Sequence, residues 1–194
     1  SNQDRKGVTT IVWVGLASNF PYLELLVPVI RELQRTERVR FRVISSCPPV
    51  FPGVNLDFRL WSLEGEVADL QGGDIGVMPL PDTEWARGKC GLKLLQYMAL
   101  GLPAVASPIG VNREIVSDGE NGFLASTQEE WRTTLTRLCR DVQLRVRIGG
   151  AARKTVETEY SLSVWGPRLA DRYRVIINEN KPIESISTIT GSPG

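Results

Sequence analysis

The stretch GLKLLQYMALGLPAVASPIGVNREIVSDGENGFLA, Gly91–Ala125, switches repeatedly between helical and strand-like patterning. Leu92, Leu95, Met98 and Ala99 recur at helical spacing, which predicts a helix over Leu92–Leu100 stopped by Gly101 and Pro103. Pro103–Ser107 then reads as a β-strand, followed by a glycine loop over Ile109–Asn112 and a short helix in VNREIVSDG. Asn112 is expected to cap that helix, with Glu114 in its first turn, where a carboxylate is favoured. Asp118-Gly119 and Asn121-Gly122 are turn signals with structural roles, leading into a further strand at Gly122–Ser126.

Outward from this block the same alternation continues. Val8–Gly15 reads as a buried strand ending in glycine, and a helix follows from about Tyr22 to Arg35 that Pro28 should kink or split. Val39–Ser45 alternates arginine with apolar residues, which suggests one wet face near a sheet edge. Val54–Trp61 is a third strand candidate, Leu63–Leu70 a short helix and Ile75–Leu80 a fourth strand; DTEWARG reads as a loop. Helical patterning runs from Thr127 through Asp141, over Val142–Glu159 and over Ser161–Asn178. Six strands with intervening helices and no internal repeat predict an α/β, Rossmann-like doubly wound parallel six-stranded sheet over residues 1–178. A polar tail, 179–194, completes the chain. In such sheets ligands bind outside the carboxyl ends of the strands, which selects the loops after Val14, Leu80 and Ser107.

Composition narrows the chemistry. The 194 residues carry 23 basic and 22 acidic side chains, a net charge of +1, so no global field favours nucleic acid. There is no histidine, which removes a histidine-based triad and a histidine-based zinc site, and no metal ligand set is expected. Three cysteines, Cys47, Cys90 and Cys139, lie far apart without a CxxC pair, which fits a reducing, cytoplasmic setting. No apolar run reaches the length of a membrane span and no signal peptide is evident; the opening Ser1-Asn2 is left out of the fold argument.

The first loop, GLASNFPYL, lacks the GxGxxG fingerprint, and no GxxxxGK[ST] run exists, so neither a dinucleotide fold nor a Walker-type phosphate loop is indicated. It offers Gly15 for close backbone approach and Ser18 and Asn19 as small hydrogen-bonding groups; a turn and a helix cap explain the same residues. Gly88-Lys89-Cys90-Gly91-Leu92-Lys93 is the more pointed signal. Two glycines flank lysines at the start of an apolar helix, where a cation is ordinarily disfavoured by about 0.3–1 kcal/mol. An anion bound there would neutralise the free N–H groups and both ammonium groups; lysines splayed into solvent over apolar surface are the plainer alternative. Gln96 shares a flank of the helix with Lys89 and Lys93 and could hydrogen-bond a ribose diol, although a surface glutamine needs no such role.

LLQYMALGLPAVAS and REIVSDGENGFLA resemble, nearly position for position, the signature block of the retaining GT-B glycosyltransferases of family 4, also called glycosyl transferases group 1. The resemblance covers nearly the whole chain and implies the C-terminal half of a GT-B fold, the half that binds the nucleotide-diphosphate-sugar donor. An N-terminal domain absent here would bind the acceptor, so this domain alone is not expected to turn over; membrane association, peripheral at the inner membrane, would come through that other half. The resemblance implies donor contacts from Gly15, Ser18, Asn19, Gly88, Cys90, Gly91, Leu92, Gln96, Gly110 and Asn112. Lys93 or Lys89 would supply catalytic charge to the leaving diphosphate, without a metal or other cofactor. Two departures stand out: the family's paired glutamates fall on Gly88 and Gln96. The loss supports an alternative, a non-catalytic relative that keeps the fold as a binding or interaction module. A sugar-nucleotide epimerase of the same architecture is less compatible with the Leu94–Ser107 block.

Overall fold

A computed structural model describes residues 7–179; the predicted tail from 180 onward and residues 1–6 lie outside the described residues. Six parallel strands stand in the order β3-β2-β1-β4-β5-β6: β1 Thr9–Val14, β2 Val39–Ser45, β3 Leu56–Leu60, β4 Ile75–Met78, β5 Ala104–Ala106 and β6 Phe123–Leu124. The chain winds outward from β1 through β2 to β3, then crosses back to lay β4 on the other side of β1. The carboxyl ends of β1 and β4 therefore part, leaving the crevice in which such sheets hold ligands.

Side-chain alternation assigns the two layers. Ile11 and Trp13 of β1 face one cluster with Phe41, Val43, Val77 and Trp131, whereas Val12 and Val14 face the other with Leu94, Tyr97, Met98 and Ile115. The first layer is covered by α2 (Val27–Thr36) and α7 (Gln128–Arg140) and the second by α3 (Glu66–Gln71) and α5 (Leu92–Ala99), while α8 (Val142–Thr155) joins both, with Leu144 and Ile148 in the first cluster and Ala152 in the second. The predicted split at Pro28 is present. A short α1 (Phe20–Leu23) ends before α2, and Pro28 occupies the first turn of α2, where its missing N–H costs nothing. Thr127 and Glu130 form a reciprocal capping box at the start of α7, and Asp141 caps α8 through the Leu144 N–H. The last helix, α9, spans Leu162–Glu179 after a π-helical turn at Val156–Tyr160, and it reaches one residue into the predicted tail. Among the described residues no helix is long and apolar enough to cross a membrane.

Three expectations are corrected. β2 is interior, and β3 is the edge strand. The alternating arginine that suggested a wet face, Arg42, is buried. It sits in register with Asp57 of β3, pairs with that carboxylate at 2.8 Å and donates to the Asp69 carbonyl at 2.9 Å, which satisfies the charge inside. DTEWARG is not all loop: Thr83 accepts from the Ala86 N–H and starts α4, Glu84–Arg87. Asn112 does not cap the short helix α6 (Asn112–Ile115); Val111 holds that position without a side-chain cap. The Asn112 amide instead turns inward and donates to the Ser107 carbonyl at 2.9 Å, tying α6 to the end of β5. The other turn residues keep structural roles. Asn121 accepts from the Ser117 N–H and donates to the Ile115 carbonyl and the Thr155 hydroxyl, and the Asp118 carboxylate accepts from the Leu124 N–H.

Candidate functional site

A cavity of about 590 Å³ opens at the carboxyl ends of β1 and β4, bounded by the loop after β1, the Gly88–Gly91 turn, the first turn of α5, Glu66 of α3, and Ser46 and Trp61 beyond β2 and β3. Tyr97 holds this seam from beneath. Its fully buried hydroxyl accepts from the Val14 N–H at 3.2 Å and donates to the Val77 carbonyl at 3.4 Å, so one helix residue links the ends of both strands.

Of the residues singled out from sequence, Gly15, Asn19, Gly88, Lys89, Cys90, Gly91, Leu92, Lys93 and Gln96 line this cavity together. Gly91 is the N-cap of α5 with φ +71°, a left-handed geometry suited to glycine, and no side chain caps the first turn. No acidic residue lies in that turn either. The helix thus presents its positive end to the cavity without a counter-charge from its own first turn.

Both lysines turn inward rather than into bulk solvent. The Lys89 Nζ donates to the Asn19 Oδ1 at 3.3 Å and lies 5.3 Å from the centre of the Tyr22 ring. The Lys93 Nζ lies 5.5 Å from the centre of the Trp13 ring. Gly15 makes room for this side chain: a Cβ at that position would come within 2.7 Å of both the Lys93 Cε and the Trp13 ring. Burial holds the Lys93 ammonium below the ordinary lysine range, the nearby Lys89 charge adds to that effect, and Cys90 opposes it. The two ammonium groups therefore work against each other, and an anion between them would relieve both costs.

Three predicted residues do not reach the cavity. Ser18 is exposed on the 3₁₀ turn Ala17–Asn19, outside the lining. Gly110, at φ +55°, lies against the Arg87 backbone, where a Cβ would collide with the Arg87 carbonyl oxygen. Asn112 is buried behind Gly91. Gly110 and Asn112 thus brace the turn that carries the lysines instead of lining the cavity. The loops after Leu80 and Ser107 line a neighbouring cavity of about 340 Å³ with Leu25, Arg113 and Trp131.

The sequence reading missed Leu16, Ser46, Trp61 and Glu66 as lining residues. Glu66 is the most consequential, because its Oε1 accepts from the Gln96 Nε2 at 2.8 Å. No local pattern marks it, since the partner is 30 residues away. Among the described residues no three Cys, Asp or Glu side chains gather as a metal site would require.

Residues 8–141 match the family model described as Glycosyl transferases group 1. No curated protein matches the sequence. In three dimensions the chain is similar to the C-terminal domain of LpcC, a glycosyl transferase group 1 family protein from Francisella tularensis. That match has a TM-score of 0.62 and 21% identity, and covers 82% of this chain and 91% of that one. A glycosyltransferase from Rickettsia africae superimposes with a TM-score of 0.72 at 17% identity, over 90% of this chain and 49% of that one. HepE of Anabaena, solved with UDP and glucose, superimposes with a TM-score of 0.70 at 15% identity, over 89% and 51%. The observed sheet is thus the one expected of the C-terminal half of a GT-B protein, and the chain spans about half the length of the last two relatives.

Proposed function

The chain belongs to the glycosyl transferases group 1 family, and from that premise we propose that its main cavity binds the nucleoside-diphosphate-sugar donor of a retaining glycosyltransferase. The observation that carries this reading is the convergence of Lys89, Lys93 and the uncapped first turn of α5 on one cavity at the strand-order switch point. The diphosphate lies across the N–H groups of Gly91 and Leu92, with the lysines flanking it. When the anomeric carbon–oxygen bond breaks, its electron pair passes to the diphosphate. The charge that develops there meets preformed donors. That electrostatic term needs neither a histidine base nor a metal.

HepE was solved with UDP and glucose, which supports a nucleotide-sugar ligand for a site on this fold. In this reading acceptor binding belongs to a second, N-terminal domain of a longer protein and the domain alone does not turn over, which the span of about half of such relatives supports. Any membrane association would belong to that domain, and the setting is cytoplasmic. The glycine and glutamine at positions 88 and 96 favour one other reading, a non-catalytic module that binds the nucleotide without transfer.

Calorimetric titration with UDP, GDP, ADP and TDP tests the site. At least one should bind, and bound nucleotide should protect Cys90 from alkylation while leaving Cys47 reactive, since only Cys90 of these two exposed thiols lines the cavity. Absence of binding by all four at millimolar concentration refutes the assignment. Transfer or donor hydrolysis by the full-length protein separates enzyme from binding module.

A further inference from the structure

Glu66 stands in the cavity as an acidic group opposite a cationic end. The Gln96 amide donates to its Oε1 at 2.8 Å, which fixes the carboxylate against α5. No lysine or arginine forms an ion pair with it among the described residues. A carboxylate accepts about four hydrogen bonds, and a glutamine carbonyl accepts two. The Gln96 donation uses one of the Glu66 acceptor sites and none on its own carbonyl. The pair therefore offers the cavity a set of acceptors with net negative charge, and a ligand must bring the donors.

Position along α5 says which part of a ligand meets them. Gln96 is four residues beyond Leu92, about 6 Å along the helix axis from the N–H groups that face the diphosphate. In a nucleoside diphosphate the pentose follows the α-phosphate directly, and the base lies one ring further out. Ser46 and Trp61 line the same cavity from the carboxyl ends of β2 and β3, on the opposite side of β1 from β4, which leaves that outer region for the base.

We propose that Glu66 is a specificity-determining residue: held in place by Gln96, its carboxylate accepts hydrogen bonds from the vicinal 2′- and 3′-hydroxyls of ribose. It thereby selects ribonucleoside diphosphates over their 2′-deoxy counterparts. The inference rests on the donor-site reading above and narrows it to ribonucleotide-linked sugars. A carboxylate on α3 thus works at a position where α5 itself supplies only an amide.

The test is calorimetric titration of the chain with ribo and 2′-deoxy pairs that share a base: UDP, GDP and ADP against 2′-deoxy-UDP, 2′-deoxy-GDP and 2′-deoxy-ADP. The wild type should prefer the ribo member by about tenfold or more, as expected for losing a hydrogen bond to a charged group. Glu66→Gln should bring that ratio below about threefold, with the ribonucleotide losing more affinity than the deoxynucleotide, which has only its 3′-hydroxyl to lose from that contact. The swap Glu66→Gln/Gln96→Glu, which returns a carboxylate to the same contact, should restore the preference. Thermal unfolding of each ligand-free variant confirms that the fold is retained. A wild-type ratio near one, a ratio unchanged in Glu66→Gln, or a change in base preference with the ribo-to-deoxy ratio intact overturns the role of Glu66 while leaving the donor site standing. Failure of every nucleotide to bind the wild type overturns both.

Discussion

Replacing Lys93 with methionine should stabilise the empty protein and weaken its ligand in the same variant. The ammonium stands in the first turn of α5, which disfavours a cation by about 0.3–1 kcal/mol, and it is half-buried beside Lys89. Methionine keeps an unbranched side chain, one heavy atom shorter and without the charge. Its thioether against Trp13, worth about 0.3–1.5 kcal/mol, stands in for a cation–π contact worth about 0.5–1 kcal/mol. Those two contacts roughly cancel, so the relief of dipole, burial and repulsion should remain. A gain of about 1 kcal/mol would raise Tm by about 2–4 °C for a domain of this size. Against a diphosphate the same change removes a charge-assisted hydrogen bond of about 1.5–3 kcal/mol, weakening Kd by about 10- to 150-fold. Scanning fluorimetry of the free protein and calorimetry with the best-binding nucleotide read the two effects separately. A lower Tm would show that the ammonium stabilises the empty cavity, and a Kd within about threefold of wild type would show that it does not face the ligand.

Two further outcomes follow from the same geometry. The Lys93 pKa is lower in the folded protein than in the unfolded chain, so the unfolded chain retains the proton over a higher pH range. Unfolding free energy of the empty protein should therefore gain a positive contribution as pH rises from the lowered lysine value toward about 10.5; urea titrations across that range should show the slope in wild type and its loss in Lys93→Met. Gly91→Ala should destabilise by about 2–4 kcal/mol, combining a left-handed backbone with a Cβ placed 2.5 Å from the Ile115 Cδ1; thermal unfolding and a parallel loss of nucleotide affinity measure it.

The fold was legible because glycine and proline punctuate it. Gly101 and Pro103 mark the end of α5, Pro28 marks the break before α2, and the alternation of apolar runs marks the parallel sheet. Pattern alone failed where a distant partner decides. Arg42 looks solvated in isolation, and only Asp57 across the strand pair makes its burial tolerable. The four residues of α4 are too few to show a period. Asn112 has the composition of a helix cap, but its amide donates to the Ser107 carbonyl, which also accepts from the Ile109 N–H. At the site, the lysines and glycines could be read from their adjacency. Glu66 could not, because its contact with Gln96 exists only after α3 and α5 have packed on the same layer.

The bracing of the Gly88–Gly91 turn bears on the kinetics of ligand capture. Gly110 presses on the Arg87 backbone from one side, and Ile115 and Val111 crowd Gly91 from the other, so the segment has little slack to open or close. Its ordering entropy is settled when the domain folds, and an arriving anion has no loop to arrange. Encounter of an anion with this cavity should be fast and salt-dependent, and differences among nucleotides should appear in how long each one stays.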